Sequence, residues 1–149
     1  MVKALFYHLT RSPAEDLVPV LLTRALSAGW RVELRALSPD LLDRLDGHLW
    51  QGDGFLPHGR AGGPHDARQP VLLTAPDQPA SNAPQALMTL EGAPLDPAAL
   101  VPLERCWILF DGHDPQALTT ARTQWRQLSD AAMTCEYWSE ESGRWERKR

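Results

Sequence analysis

Short apolar runs alternate with amphipathic stretches along most of this chain, and that alternation limits the folds open to it. ALFYHL (4–9), RVELRAL (31–37), VLLTA (71–75), QALMTLEG (85–92) and RCWILFDG (105–112) read as strands. MTCEYW (133–138) reads as a last one. Between them lie stretches with apolar residues at helical spacing. SPAEDLVPVLLTRALSAG (12–29) places Leu17, Leu21, Leu22, Ala25 and Leu26 in one stripe. Ser12, Pro13 and Glu15 there have the form of a capping box, and Gly29 marks the stop. Pro19 should kink that helix or move its start later. SPDLLDRLDGHLW (38–50) repeats the start signal, PLDPAALVPL (94–103) is a short helix, and DPQALTTARTQWRQLSD (114–130) is the longest clean one. Alternating strand and helix predicts an α/β sandwich around a mainly parallel sheet, and 149 residues suit one domain, 1–149.

An α/β sheet raises the question of nucleotide binding. The first strand leads into HLTRSPAED, which has no glycine, and a phosphate turn needs glycines there to let backbone approach a pyrophosphate. GRAGGP (59–64) does not lead directly into a helix. We therefore expect no nucleotide cofactor. The net charge of −4 argues against broad nonspecific binding of nucleic acid, although ESGRWERKR at the end gathers four basic and two acidic side chains. Cys106 and Cys135 sit in apolar stretches without paired spacing, as reduced thiols of a cytoplasmic protein would. No export signal and no membrane-length apolar run is visible.

Four places carry candidate chemistry. The stretch 51–70, rich in Gly, Pro and His, reads as a long loop, and His58, His65 and Asp66 in it are conceivable metal ligands. DGHD (111–114) follows an apolar strand, where α/β folds gather their sites. Asp111, His113 and Asp114 suit acid, base or metal-ligand roles in a small hydrolase or metal-dependent enzyme. The plainer reading is a turn in which Asp114 caps the helix that starts at Pro115. Trp50 and Phe55 bracket a short turn, either folded inward as core or exposed for a partner. Arg122, Trp125 and Arg126 share one helical face, as an anion-binding apolar site would need. Alternatively, the arginine stems simply cover a tucked tryptophan.

Taken in order, FYHL, RLDGHLW, GFLPHGRAGG, RCWILFDG, ARTQWRQL and the ending YWSEESGRWERKR resemble the chi subunit family of bacterial DNA polymerase III. The resemblance implies a three-layer Rossmann-like fold with no nucleotide-binding glycine motif. It implies a noncatalytic accessory subunit of the clamp-loader assembly, without cofactor or metal. Its partners would be the acidic C-terminal tail of single-stranded-DNA-binding protein and a psi subunit, with a helicase competing for the psi surface in some bacteria. DNA would be contacted only indirectly. By the same resemblance Arg122, Trp125 and Arg126 match the tail-binding helix, where Trp125 replaces a commoner tyrosine. Trp50, Phe55, Leu56, Pro57 and His58 match the psi-binding stretch.

Overall fold

The computed structural model describes residues 2–51 and 56–149. In chain order the elements are β1 (Lys3–Leu9), α1 (Ala14–Ser27), β2 (Val32–Arg35), α2 (Pro39–Trp50), β3 (His58–Arg60), β4 (Val71–Thr74), β5 (Ala86–Thr89), α3 (Pro97–Leu100), β6 (Arg105–Asp111), α4 (Pro115–Asp130), β7 (Thr134–Ser139) and β8 (Glu146–Arg147). The strands form one eight-stranded sheet in the order β3-β4-β2-β5-β6-β1-β7-β8. Every pairing is parallel except β7 with β8. This is the mainly parallel α/β sheet that the alternating pattern predicts, and it is consistent with the Rossmann-like fold that the resemblance implies.

Two apolar layers flank the sheet. On one side α1 and α2 pack Leu17, Leu21, Leu42 and Leu45 against Val32, Leu34 and Leu109. On the other, α3 and α4 bring Leu100, Ala121 and Leu128 against Ala4, Phe6 and Ile108. Each strand side chain goes to the side opposite its neighbour, so β1 feeds both layers: Leu5 and Tyr7 face α1, Phe6 faces α4.

Helix ends follow their local chemistry. Ser38 Oγ accepts the Leu41 N–H, and Asp96 and Asp114 each accept an N–H two residues on. α1 stops as expected: Gly29 takes φ +82°, and Trp30 N–H bonds back to Ala25 O. Its start differs from the expected capping box. Pro13 is the cap residue, in extended backbone and with no side-chain bond, which leaves Ser12 one position too early. Pro19 lies inside α1 and has not moved its start. Two strands escaped the sequence reading. β3 lies within the stretch read as a loop, and HGR has no apolar alternation; its pairing with Val71, Leu72 and Leu73 makes it a strand. β8 is two residues paired to β7.

Candidate functional site: a basic, aromatic groove beside α4

α4 turns Ala121, Gln124 and Leu128 into the core, a spacing of three and four residues. The face beside that stripe carries Arg122, Trp125 and Arg126. Both arginines are exposed and Trp125 is half-buried. The indole meets Phe6 edge-on at 5.1 Å between centroids and Tyr137 at 6.2 Å. The tryptophan is thus tucked inward, as the plainer alternative expects, and it also lines a groove.

That groove holds about 630 Å³ between α4, β1, β6 and β7. Phe6, Phe110 and Tyr137 supply aromatic lining, and Arg122, Arg126, Lys148 and Arg149 bring positively charged side chains, with no Asp or Glu side chain in the lining. Among the described residues, no carboxylate lies within ion-pair distance of Arg122 or Arg126. Lys148 reaches Glu146 at 3.3 Å. The groove thus brings guanidinium groups together with apolar rings, a combination suited to a carboxylate together with an apolar side chain.

Tyr137 lies at the back of the groove. Burial raises the pKa of its hydroxyl and the Glu141 carboxylate adds to that, while Arg122 and Arg149 pull the other way. The phenol stays protonated at neutral pH and keeps a hydrogen-bonding group beside the arginines. Sequence reasoning missed Phe6, His8 and Tyr137, whose positions depend on which way β1 and β7 face. Lys148 and Arg149 had a signal, the basic ending, but nothing in the sequence says where that ending lies.

The second candidate stretch is at the far end of the strand order. Trp50 ends α2, is 58% exposed, and its ring centroid lies 4.3 Å from that of His58. His58 itself is buried. Its Nδ1 lies 2.7 Å from Leu56 O, and its Nε2 lies 3.1 Å from Asp46 O and 3.0 Å from the Asp46 carboxylate. Leu56 and Pro57 are half-buried, with Leu56 packed on the core. Phe55 falls outside the described residues. His58 is therefore held between Leu56 and Asp46, with the exposed Trp50 ring beside it.

The remaining chemistry is absorbed by turns. Asp111 accepts the His113 N–H, Asp114 caps α4, and His113 Nε2 lies 2.7 Å from Thr10 O. Asp66 accepts the N–H groups of Gly62 and Gly63. Among the described residues no three His, Cys, Asp or Glu side chains come together as a metal would require. Among the same residues no helix is long and apolar enough to cross a membrane.

Comparison with known proteins agrees with the resemblance in the sequence. No curated protein matches the chain. The family model described as DNA polymerase III chi subunit, HolC, matches residues 1–136. That span contains Trp50, Arg122, Trp125 and Arg126, but stops before Tyr137, Lys148 and Arg149. With the match running through 136 of 149 residues, the chain belongs to the DNA polymerase III chi subunit family and is an accessory subunit of DNA replication.

Proposed function

We propose that this subunit is a noncatalytic, cytoplasmic adaptor that binds the acidic C-terminal tail of single-stranded-DNA-binding protein in the groove beside α4. One observation supports the reading: Arg122 and Arg126, which among the described residues have no ion-pair partner, line the same groove as Trp125, Phe6, Phe110 and Tyr137, with no Asp or Glu side chain in that lining. A free peptide carboxylate meets a guanidinium through paired, charge-assisted hydrogen bonds, and an apolar end residue finds Trp125, Phe6 and Phe110. Trp125 has no phenolic hydroxyl, but Tyr137 brings one to the same groove. The peptide is disordered when free, so ordering it offsets part of the gain and affinity is modest. A contact with protein that coats DNA works at that strength because many copies present tails at once.

A psi-type subunit would occupy the other surface, through the stretch that holds Trp50, Phe55, Leu56, Pro57 and His58. A helicase that competes with psi would use the same residues. The first strand of the sheet order, β3, carries one surface and β1 and β7, well along the order, line the other, which supports a reading in which both partners bind at once. Such an adaptor links DNA-coating protein to the clamp loader without touching DNA itself.

The test is titration of labelled tail peptide into the wild type and into folded Arg122→Ala and Arg126→Ala. Each lost charge-assisted bond should weaken binding about tenfold. Affinity equal to wild type in both variants would sink the assignment. Phe55→Ala should weaken psi binding by about 2 kcal/mol and leave tail binding unchanged.

A further inference from the structure

The strands that line the α4 groove line a second cleft on their other face. β1 and β7 pair in the register Leu5↔Glu136 and Tyr7↔Trp138, and Trp107 of β6 lies beside Leu5. Phe6 and Tyr137 go to the α4 side, so the alternate residues Tyr7, Trp138 and Glu136 go to the α1 side. There α1 forms one wall, and Trp145, just before β8, stands against Tyr7 at 5.1 Å. The space between holds about 720 Å³. Its floor is apolar: Leu5, Tyr7, Leu17, Leu21 and Trp107 are all buried. Trp138 stacks on Tyr7 at 6.3 Å, and Val20 of α1, 45% exposed, also lines the cleft.

Charge around this cleft is unevenly satisfied. Lys3 pairs with Glu136 at 3.1 Å, and Arg147 reaches the same carboxylate at 3.8 Å. Arg24 and Arg105 also line the cleft, and among the described residues neither has a carboxylate within ion-pair distance. Arg105 lies 5.4 Å over the Trp30 ring, and its Nε is buried without a hydrogen-bond partner. After Glu136 is satisfied internally, Asp16 is the one other carboxylate in the lining. What remains is an apolar floor with two cations unmatched beside it.

We infer that this cleft docks an acidic peptide segment of a partner protein, with apolar side chains on the Tyr7–Trp138 floor and carboxylates on Arg24 and Arg105. The surface is separate from the α4 groove and does not depend on the tail-binding reading. A nucleic acid strand suits it less well. Tracking a phosphate backbone needs a run of free cations, whereas two of the charges lining this cleft are carboxylates, Asp16 and Glu136, and Lys3 is already paired. The aromatic rings are also spent partly on one another, which leaves edges for side chains more than open faces for stacked bases.

The experiment is selection of displayed random short peptides on the full chain, followed by sorting of the enriched peptides on two folded variants. Arg24 is exposed on α1, so Arg24→Glu reverses a charge in the cleft without disturbing the core; Arg122→Ala disables the α4 groove. One enriched class should carry Asp or Glu beside apolar residues, lose about tenfold in affinity on Arg24→Glu, and keep it on Arg122→Ala. Synthetic copies of that class should shift the indole N–H resonances of Trp30 and Trp138 and leave that of Trp125 in place. This second reading needs no variant. The inference falls if no enriched peptide is sensitive to Arg24→Glu, if the sensitive peptides are basic, or if binding moves Trp125 alone. It also falls if oligothymidylate displaces the peptides and moves the same indoles more strongly. Loss of tail binding to the α4 groove, by contrast, reads out on Arg122→Ala and leaves this result standing.

Discussion

The Tyr137 hydroxyl lies 2.7 Å from His8 Nδ1, a bond between two strands that pair in parallel. The same imidazole stacks on Phe110 at 5.2 Å and 16°, so three elements converge on one ring at the back of the α4 groove. Its other nitrogen, Nε2, is buried and faces Gly112 without a hydrogen-bond partner. A Cβ at position 112 would stand 2.1 Å from that nitrogen and 2.8 Å from Leu9 O. The glycine is there because the histidine and the backbone leave no room for anything else.

Gly112→Ala should therefore destabilise the fold by about 1–3 kcal/mol, the usual cost of overpacking a filled site. The imidazole must swing away, which breaks its contact with Tyr137 and reshapes the groove. Urea unfolding measures the first effect and tail-peptide affinity the second. An alanine variant as stable as wild type would mean that the ring relaxes freely and braces nothing.

Glu136 links β1, β7 and β8. Burial opposes its ionisation, but hydrogen bonds from Lys3 and Trp138 and the charges of Lys3 and Arg147 outweigh this and hold its carboxyl below the usual range. A carboxyl with a depressed native pKa stabilises the fold fully above the ordinary carboxylate pKa, and that stability is lost as pH falls through the native value. Glu136→Gln should be less stable than wild type at neutral pH, with the gap closing as the medium is acidified. Thermal unfolding across that range checks it; a gap that is constant with pH would exclude a charge effect.

Cys106 is fully buried on β6, and burial pushes its thiol up to about 12. The thiolate is the reactive form. A thiol reagent at neutral pH should therefore label Cys106 only on unfolding. Cys135, half-buried, should react first and slowly, its pKa also being raised by burial. Equal labelling rates in the native protein would contradict this order.

How much of this was legible beforehand differs between fold and site. The parallel sheet was readable because strands such as VLLT and CWILF are short, apolar and separated by capped helices, and a residue such as Asp114 or Ser38 sets a helix start by itself. β3 was not readable, since HGR carries no pattern and depends on β4 for its shape. The arginines of α4 were visible because helical spacing alone groups them. Phe6, His8 and Tyr137 were not, because which face of the sheet a strand residue takes depends on register and on which helix covers that face. The cleft beside α1 was hidden for the same reason: Tyr7 and Trp138 look like core in the sequence, and only the register of β1 and β7 puts both on the face that α1 flanks.

Trp125 packs within the fold and, in the proposed tail-binding reading, also contacts the partner; replacing it separates the two. Its ring packs edge-on against Phe6 and Tyr137, so Trp125→Ala removes contacts from the folded protein. Fully buried tryptophan costs about 3–5 kcal/mol on truncation, and a half-buried one should cost roughly 2. In the proposed reading the same ring also gives apolar area to a bound tail, so the variant should bind tail peptide about tenfold more weakly, even where it is fully folded. Salt tells this loss apart from that of the arginines. Attraction between guanidinium and carboxylate is screened, so raising salt should weaken wild-type binding and narrow its advantage over Arg122→Ala and Arg126→Ala. The advantage over Trp125→Ala should hardly change with salt, because apolar burial is not a charge effect. Titrations at low and high salt, run beside urea unfolding of each variant, give all three quantities. If Trp125→Ala loses stability but binds tail peptide as wild type does, the ring is only a brace for β1 and β7, and the tail meets the arginines alone.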